Sequence, residues 1–216
     1  MILHKDIIQQ TPEWFEIKWG KIGGSTSKGL RVKSDTLLME ILAAKCEDFV
    51  LEEGFENSAM QRGNELEPVA IRDLSKYTGV NYEDIGWIEH STIKLLGISP
   101  DGLSSDLKSA CEVKCPSAKK HIEYIKNKEI PLEYIYQCIH YFTVIDTLET
   151  LDFGSFRPEN KYQPLFAKRI TRDSEVNIGT KAKPVIKTVA ECVTLSEKAA
   201  LQMEIDLLIE LENIKF

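Results

Sequence analysis

The sequence contains no run of 18 apolar residues, so no transmembrane helix is expected. Its first residues form no apolar signal segment, and no internal repeat or low-complexity linker divides it. It also lacks an excess of positive charge: 27 Lys and Arg stand against 34 Asp and Glu, a net charge of -7. That balance counts against a protein that coats nucleic acid nonspecifically, because such binding is driven by neutralising phosphates with lysine and arginine. It leaves room for one basic groove beside an acidic centre. Much of the excess acid lies between Glu197 and Glu212. Cysteine is sparse and dispersed. Cys46, Cys111, Cys115, Cys138 and Cys192 make an odd set, which fits reduced thiols in a cytoplasm better than a disulfide framework. Cys111 and Cys115 have no two further ligands at zinc spacing and are expected to fill apolar space.

What is present fits one domain over residues 1–216, with 43% hydrophobic and 28% charged residues and enough length for a real core. The stretch that organises it is Gly97-Ile98-Ser99-Pro100-Asp101-Gly102, followed by Cys111-Glu112-Val113-Lys114-Cys115-Pro116, which starts ten residues after the aspartate. Apolar Ile93, Leu95, Leu96 and Ile98 lead into a Pro-Asp-Gly turn signal. Residues 104–109 form a polar tip, and a short strand over about 110–114 completes a β-hairpin. Side chains alternate along a strand, so Glu112 and Lys114 point one way and Cys111, Val113 and Cys115 the other. Pairing brings Asp101 towards Glu112. Two carboxylates suit Mg²⁺ or Mn²⁺, and the Val113 carbonyl offers another oxygen. Lys114 is placed to orient or deprotonate a water and to offset phosphate charge. By itself the triplet reads at least as well as a surface hairpin with an ordinary Glu/Lys pair.

Elsewhere, Thr11-Pro12-Glu13 marks a helix start after a lead-in, residues 1–10, of little signal. That helix ends near Gly20 or Gly23-Gly24. Paired glycines with Ser25 and a lysine can hold a phosphate, or simply stop the helix. A packing helix is expected over about 36–50, capped by Ser34 or Asp35 and closed by Leu51 to Gly54. Another spans about Ser58 to Tyr77, with Gly79 as its stop and Pro68 predicting a kink or restart. Within it Glu67 alone reads as a solvent-facing acid. Residues 82–89 read as extended, with Trp87 and Ile88 under a sheet. Ser117 caps a helix with Ala118, Ile122 and Ile125 inward. Its Lys119, Lys120, His121, Lys126 and Lys128 form a basic face, either a DNA-backbone contact or a solvated surface. Pro131 starts a helix on which Tyr134 and Gln137 share a side. Strands follow over 150–156 and 165–170, residues 172–193 give no clear pattern, and a helix from Ser196 to Ile214 closes the sequence. Thr194 or Ser196 is its expected cap, and Ala199, Met203, Ile205, Leu207, Ile209 and Leu211 its apolar surface.

In order along the chain stand Thr11-Pro12-Glu13-Trp14, Gly20-Lys21-Ile22-Gly23-Gly24-Ser25, Arg62-Gly63-Asn64-Glu65-Leu66-Glu67-Pro68, Ser99-Pro100-Asp101-Gly102, Glu112-Val113-Lys114-Cys115-Pro116, Tyr134 to Gln137, and Phe153-Gly154-Ser155-Phe156-Arg157-Pro158. This ordered set resembles the lambda-exonuclease-like, YqaJ-type viral recombinase nucleases of the PD-(D/E)xK superfamily, over roughly residues 11–170. The resemblance implies an α/β fold with a restriction-endonuclease-like core, a mixed central β-sheet flanked by helices. It implies a Mg²⁺-dependent exodeoxyribonuclease, with Mn²⁺ as a substitute, that digests linear double-stranded DNA from 5′ to 3′. The 3′ single-stranded overhangs would feed phage-type recombination. Carried onto this sequence, Asp101, Glu112, the Val113 carbonyl and Glu67 serve the metal. Lys114 serves the attacking water, and Gln137 supports it. Lys18, Ser25 and Ser99 bind phosphate. Lys18 stands where the family usually has arginine, which keeps the charge and loses the bidentate fork.

The implied partners are duplex DNA ends, a homotrimeric ring of the chain itself and a single-strand annealing protein, with no membrane. The implied setting is the cytoplasm of a bacterium or phage-infected bacterium. The alternatives are another nuclease on the same core, or an inactive DNA-binding or assembly module. A restriction endonuclease belongs to the first class, as does a CRISPR-adaptation nuclease, whose iron–sulfur cluster wants a compact C-terminal cysteine group that this sequence lacks. Retention of Asp101, Glu112 and Lys114 together counts against an inactive module. Replacing Asp101 or Lys114 by alanine is expected to abolish cleavage and leave folding intact.

Overall fold

Apart from one small hairpin, the strand-forming segments fall into two sheets joined through Ser99, Pro100 and Asp101 in the computed structural model, which describes residues 1–51 and 58–214. The first sheet is antiparallel, in the order β1 (Ile2–His4), β2 (Trp87–Glu89), β3 (Gly97–Ile98). The second has the order β4 (Gly102–Leu103), β5 (Ser109–Lys114), β6 (Thr150–Phe156), β7 (Leu165–Thr171). It is mixed: β5 and β6 run parallel and the other pairs antiparallel. Parallel neighbours need a crossover. Here it is α5 (Ala118–Asn127) followed by α6 (Ile135–Val144).

Helices cover both faces. α4 (Ser58–Thr78) lays Ala70 and Leu74 against Cys111, Val113 and Phe156. The larger core lies on the other side. There α6 meets α7 (Val189–Ile214), and α2 (Lys28–Arg31) and α3 (Asp35–Cys46) pack on α7. α1 (Pro12–Lys18) buries Trp14, and a small hairpin of β8 (Glu175–Asn177) and β9 (Ile186–Thr188) precedes α7. The α/β architecture, a mixed sheet flanked by helices, is the expected one. The alternation in β5 also stands as expected: Cys111 and Val113 pack under α4, and Glu112 and Lys114 pair on the opposite face. Among the described residues no helix is long and apolar enough to cross a membrane.

Several local expectations are corrected. The single hairpin is split: β3 pairs with β2, and only Gly102 and Leu103 pair with β5. Gly102 permits this tight pairing, since a Cβ there would lie 2.9 Å from Cys111 Sγ and 2.7 Å from Tyr82 Cβ. Residues 1–10 contribute a strand, β1. α4 runs through Pro68 as one element, losing one backbone donor, so of the expected kink or restart the restart is excluded. Pro131 begins a turn, closed by Tyr134 N–H donating to its carbonyl at 2.9 Å, and the helix starts at Ile135. α5 is rotated from its expected seat. His121 is fully buried, with its ring nitrogens 2.7 Å from Ser155 Oγ and 2.8 Å from the Gln163 carbonyl oxygen, whereas Ile122 is 46% exposed. α7 begins at Val189, seven residues before Ser196, because Thr188 and Glu191 form a reciprocal cap. Ile205 and Ile209 lie on its exposed side. α3 is capped by Ser34 Oγ, which accepts from Leu37 N–H, and ends at Cys46; the expected closure at residues 52–54 lies outside the described residues.

Candidate active site

Asp101 sits where the chain leaves the first sheet for the second. The register Gly102↔Cys111 sets it opposite Glu112, and Val113 N–H donates to its Oδ2 at 2.7 Å. Tyr141, on α6, ties the two acids together. Its hydroxyl oxygen accepts from Asp101 N–H at 3.1 Å and lies 2.7 Å from Glu112 Oε2 and 3.0 Å from the Cys111 carbonyl. A phenol has one proton to give, and the nearer, charged oxygen of Glu112 is the stronger acceptor. Glu112 is wholly buried, and its Oε1 forms an ion pair with the Lys114 ammonium. Lys114 also lies 5.5 Å from the centroid of the Tyr134 ring.

The electrostatics follow from three acids gathered round one lysine. Burial holds the Asp101 carboxyl well above its usual range. Glu112 and Glu67 add to the shift, while Lys114 and the Val113 N–H oppose it. Burial likewise raises Glu67, which projects from α4; Lys114 opposes, and Glu112 and Asp84 reinforce. For Lys114 burial favours the neutral amine, but Glu112 and Asp101 outweigh it and keep the ammonium charged. The cleft in front of this group has a volume of about 640 Å³ and is lined by Glu67, Asp84, Asp101, Asn64, Arg72 and Tyr82, among others.

Glu112 Oε1 is buried and accepts no well-formed hydrogen bond among the described residues, and every acid here offers hard oxygen donors. The donor set and the shortage of positive charge therefore fit a divalent cation. Among the described residues no three His, Cys, Asp or Glu side chains stand together as a ready metal site, and Glu112 is engaged by Lys114 and Tyr141.

The remaining predicted residues form two groups. Lys18 Nζ lies 3.2 Å from the Trp14 ring centroid, and burial pushes its pKa down to about 8. Trp14 Nε1–H reaches Ser99 Oγ at 2.6 Å and the Gly86 carbonyl at 2.9 Å; Ser99 Oγ–H donates to Gly86 O at 2.6 Å. Lys18 is thus connected through Trp14 to Ser99, two residues before Asp101. Gln137, on α6, packs on Gly24, where a Cβ would stand 3.0 Å from Gln137 Cγ. Ser25 is exposed on the adjoining turn, and no hydrogen bond among the described residues joins it to Lys18 or Ser99.

The basic face of α5 is smaller than expected. His121 is buried, and Lys120 is held by Glu133 at 3.0 Å, which leaves Lys119, Lys126 and Lys128 exposed. Sequence reasoning missed Tyr141 and Asp84. A signal for Tyr141 existed: it lies four residues after Gln137 and seven after Tyr134, hence on one helix face. It also missed His140. Its Nε2 lies 2.9 Å from Gly97 O and 3.2 Å from Ile22 O, fastening the segment before Ser25 to β3. Burial lowers this imidazole to about 4, so it is neutral and donates from Nε2.

Comparison with known proteins bears on this arrangement. Residues 13–148 match the family model of the YqaJ-like viral recombinase domain. The crystal structure of an alkaline exonuclease from Laribacter hongkongensis is similar, with a TM-score of 0.75 and 28% identity over 95% of this chain and 96% of that one. The same exonuclease in complex with dAMP matches equally, with a TM-score of 0.75. A phage-related exonuclease from Haemophilus somnus 129PT shares the fold, with a TM-score of 0.51 and 16% identity over 88% of this chain and 96% of that one. No curated protein sequence matches the chain.

Proposed function

The chain belongs to the YqaJ-like viral recombinase family, and from that premise we propose that it is a metal-dependent DNA exonuclease that degrades linear duplexes from 5′ to 3′. Its likeness to an alkaline exonuclease along almost the whole of both chains supports the exonuclease reading. The observation that carries it to this chain's residues is the convergence of Asp101 and Glu112 at the Tyr141 hydroxyl, with Lys114 paired to Glu112 and the Val113 N–H bonded to Asp101. Residues 1–216 act as a single exonuclease domain with a PD-(D/E)xK-like site.

In this reading Asp101, Glu112 and the Val113 carbonyl, with Glu67 assisting, would hold Mg²⁺, or Mn²⁺ in its place. The cation, when bound, supplies an acidified water and charge stabilisation at the scissile phosphate. Lys114 orients the attacking water and offsets charge developing on the phosphate. Gln137, on α6, supports Lys114 or the attacking water. Lys18, Ser25 and Ser99 grip phosphate at the 5′ end. Lys18 does so as a point charge, without the fork of an arginine. Ser99 has one hydroxyl proton, now given to Gly86 O, so it serves a phosphate only by turning that proton away. The product is a 5′-phosphorylated nucleotide and a 3′ overhang. The family resemblance adds a ring of three chains around the DNA, an annealing protein as partner and a cytoplasmic setting in phage-type recombination.

A time course on linear duplexes labelled at the 5′ or the 3′ ends, with Mg²⁺ and with chelator, tests this directly. The 5′ label is released first, only with Mg²⁺, and a closed circle stays intact. Cutting of the circle would make the protein an endonuclease, early release of the 3′ label would reverse the polarity, and no release from any substrate would leave an inactive module.

A further inference from the structure

Beyond the ends of β5 and β6, two guanidinium groups converge on one exposed carboxylate. Arg62 Nη2 lies 3.0 Å and 2.9 Å from the two oxygens of Glu159, and Arg157 Nε lies 3.7 Å from Glu159 Oε2. The arginines are the more enclosed partners: their side chains are 30% and 22% exposed against 55% for Glu159. Arg157 is also fixed by donating from Nη1 to the Pro116 carbonyl at 3.1 Å.

Arg62 belongs to α4, which lines the catalytic cleft, and Arg157 is fastened to the segment that follows Lys114. Arg62 lies five residues before Glu67 on α4, about 7.5 Å along the helix axis. Pro116 lies two residues beyond Lys114, about 7 Å along an extended chain. Cys115, between them, lies within electrostatic reach of Arg62 and of Glu67, Lys114 and Asp101. A step of that size is on the order of one or two nucleotides of a DNA strand.

We propose that Arg62 and Arg157 clamp a backbone phosphate one or two nucleotides from the scissile bond, and that Glu159 occupies the clamp until DNA displaces it. The proposal rests on the exonuclease reading and adds a substrate contact to it. A carboxylate presents two oxygens to a guanidinium much as a phosphodiester does, so a pair of arginines built for one accepts the other. The exposed Glu159 pairs are weak and screened. The partly enclosed, pre-set arginines lose little freedom when the partner changes. The competing role is a plain staple between α4 and the turn after β6.

Affinity of the full-length chain for a 5′-phosphorylated duplex, measured by fluorescence anisotropy in chelator over a range of salt, separates the two. Arg62→Gln weakens binding about tenfold and reduces the salt slope by about one. Glu159→Gln tightens binding several-fold, and that gain disappears when Arg62→Gln is also present. A staple makes both single variants bind more weakly, which would overturn the clamp. A gain from Glu159→Gln that persists in the double variant would do so too, because it would then be a general charge effect. Arg62→Lys, which keeps the charge, retains most of the salt slope if the clamp exists; a loss equal to that of Arg62→Gln contradicts it. Digestion of linear duplex by the unaltered protein, alongside unchanged binding in Arg62→Gln, defeats the clamp alone. Failure of the unaltered protein to digest any duplex defeats the exonuclease reading itself.

Discussion

Lys114→Ala removes the cation paired with Glu112, a carboxylate that is 0% exposed. Breaking a buried ion pair from one side leaves an uncompensated charge and costs about 3–5 kcal/mol. The Lys114 side chain is 27% exposed, so water reaches one end of the pair and the lower figure applies, about 3 kcal/mol. For a chain of this size each kcal/mol moves the midpoint by about 2–4 °C, which gives a fall of about 6–12 °C. The chain should still fold, with a lower midpoint. Mg²⁺ should restore part of the loss, because a cation held by Asp101 and Glu112 replaces the missing charge, while cleavage stays abolished. The assay is thermal unfolding of both proteins in chelator and in Mg²⁺. A variant that melts within about 1 °C of the unaltered protein in chelator would refute the buried pair as a source of stability. Equal Mg²⁺ responses would refute the link between that pair and the cation.

Tyr141→Phe keeps the ring and removes the hydroxyl that holds Glu112 Oε2 and Asp101 N–H. It should cost about 1.5–3 kcal/mol of stability and lower kcat with little change in KM for DNA; unchanged melting and kcat would show that the hydroxyl positions nothing. Lys18, lowered by burial to about 8, should lose its grip on a 5′ phosphate as pH rises through that value. Competition between 5′-phosphorylated and 5′-hydroxyl duplexes at rising pH reads this out, with Lys18→Arg giving a flat profile; a pH-independent preference in the unaltered protein would contradict it. The same shift acts on stability with a definite sign. The unfolded chain binds more protons between about pH 8 and the ordinary lysine range, so stability climbs across that window. Lys18→Met should lack the climb in a pH series of unfolding midpoints.

The parts of the site that could be read in the sequence are those set by local periodicity. Period-two alternation alone put Glu112 and Lys114 on one face, and the Pro-Asp-Gly signal put Asp101 opposite them. Glu67 lies on α4, across the cleft, and no local pattern separates it from a solvated helical acid; the family resemblance singled it out. What stayed hidden depends on distant pairing. β1 finds its partner more than eighty residues away, and β3 leaves the expected hairpin for β2. His121 reads as basic surface until Ser155 and the Gln163 carbonyl satisfy both its nitrogens. The Thr188 and Glu191 cap has a sequence signature, but it lay in a stretch without strong periodicity.

The central claim is that Asp101 and Glu112 share a divalent cation. Calorimetric titration of Mg²⁺, and of Mn²⁺, into the unaltered chain and into Asp101→Asn tests it most directly. The amide oxygen of the variant can still accept the Val113 N–H, so the backbone contact at 2.7 Å need not be lost. The unaltered chain should bind the ion and Asp101→Asn should not. Equal binding by both, or none by the unaltered chain even with duplex DNA present, would contradict the account.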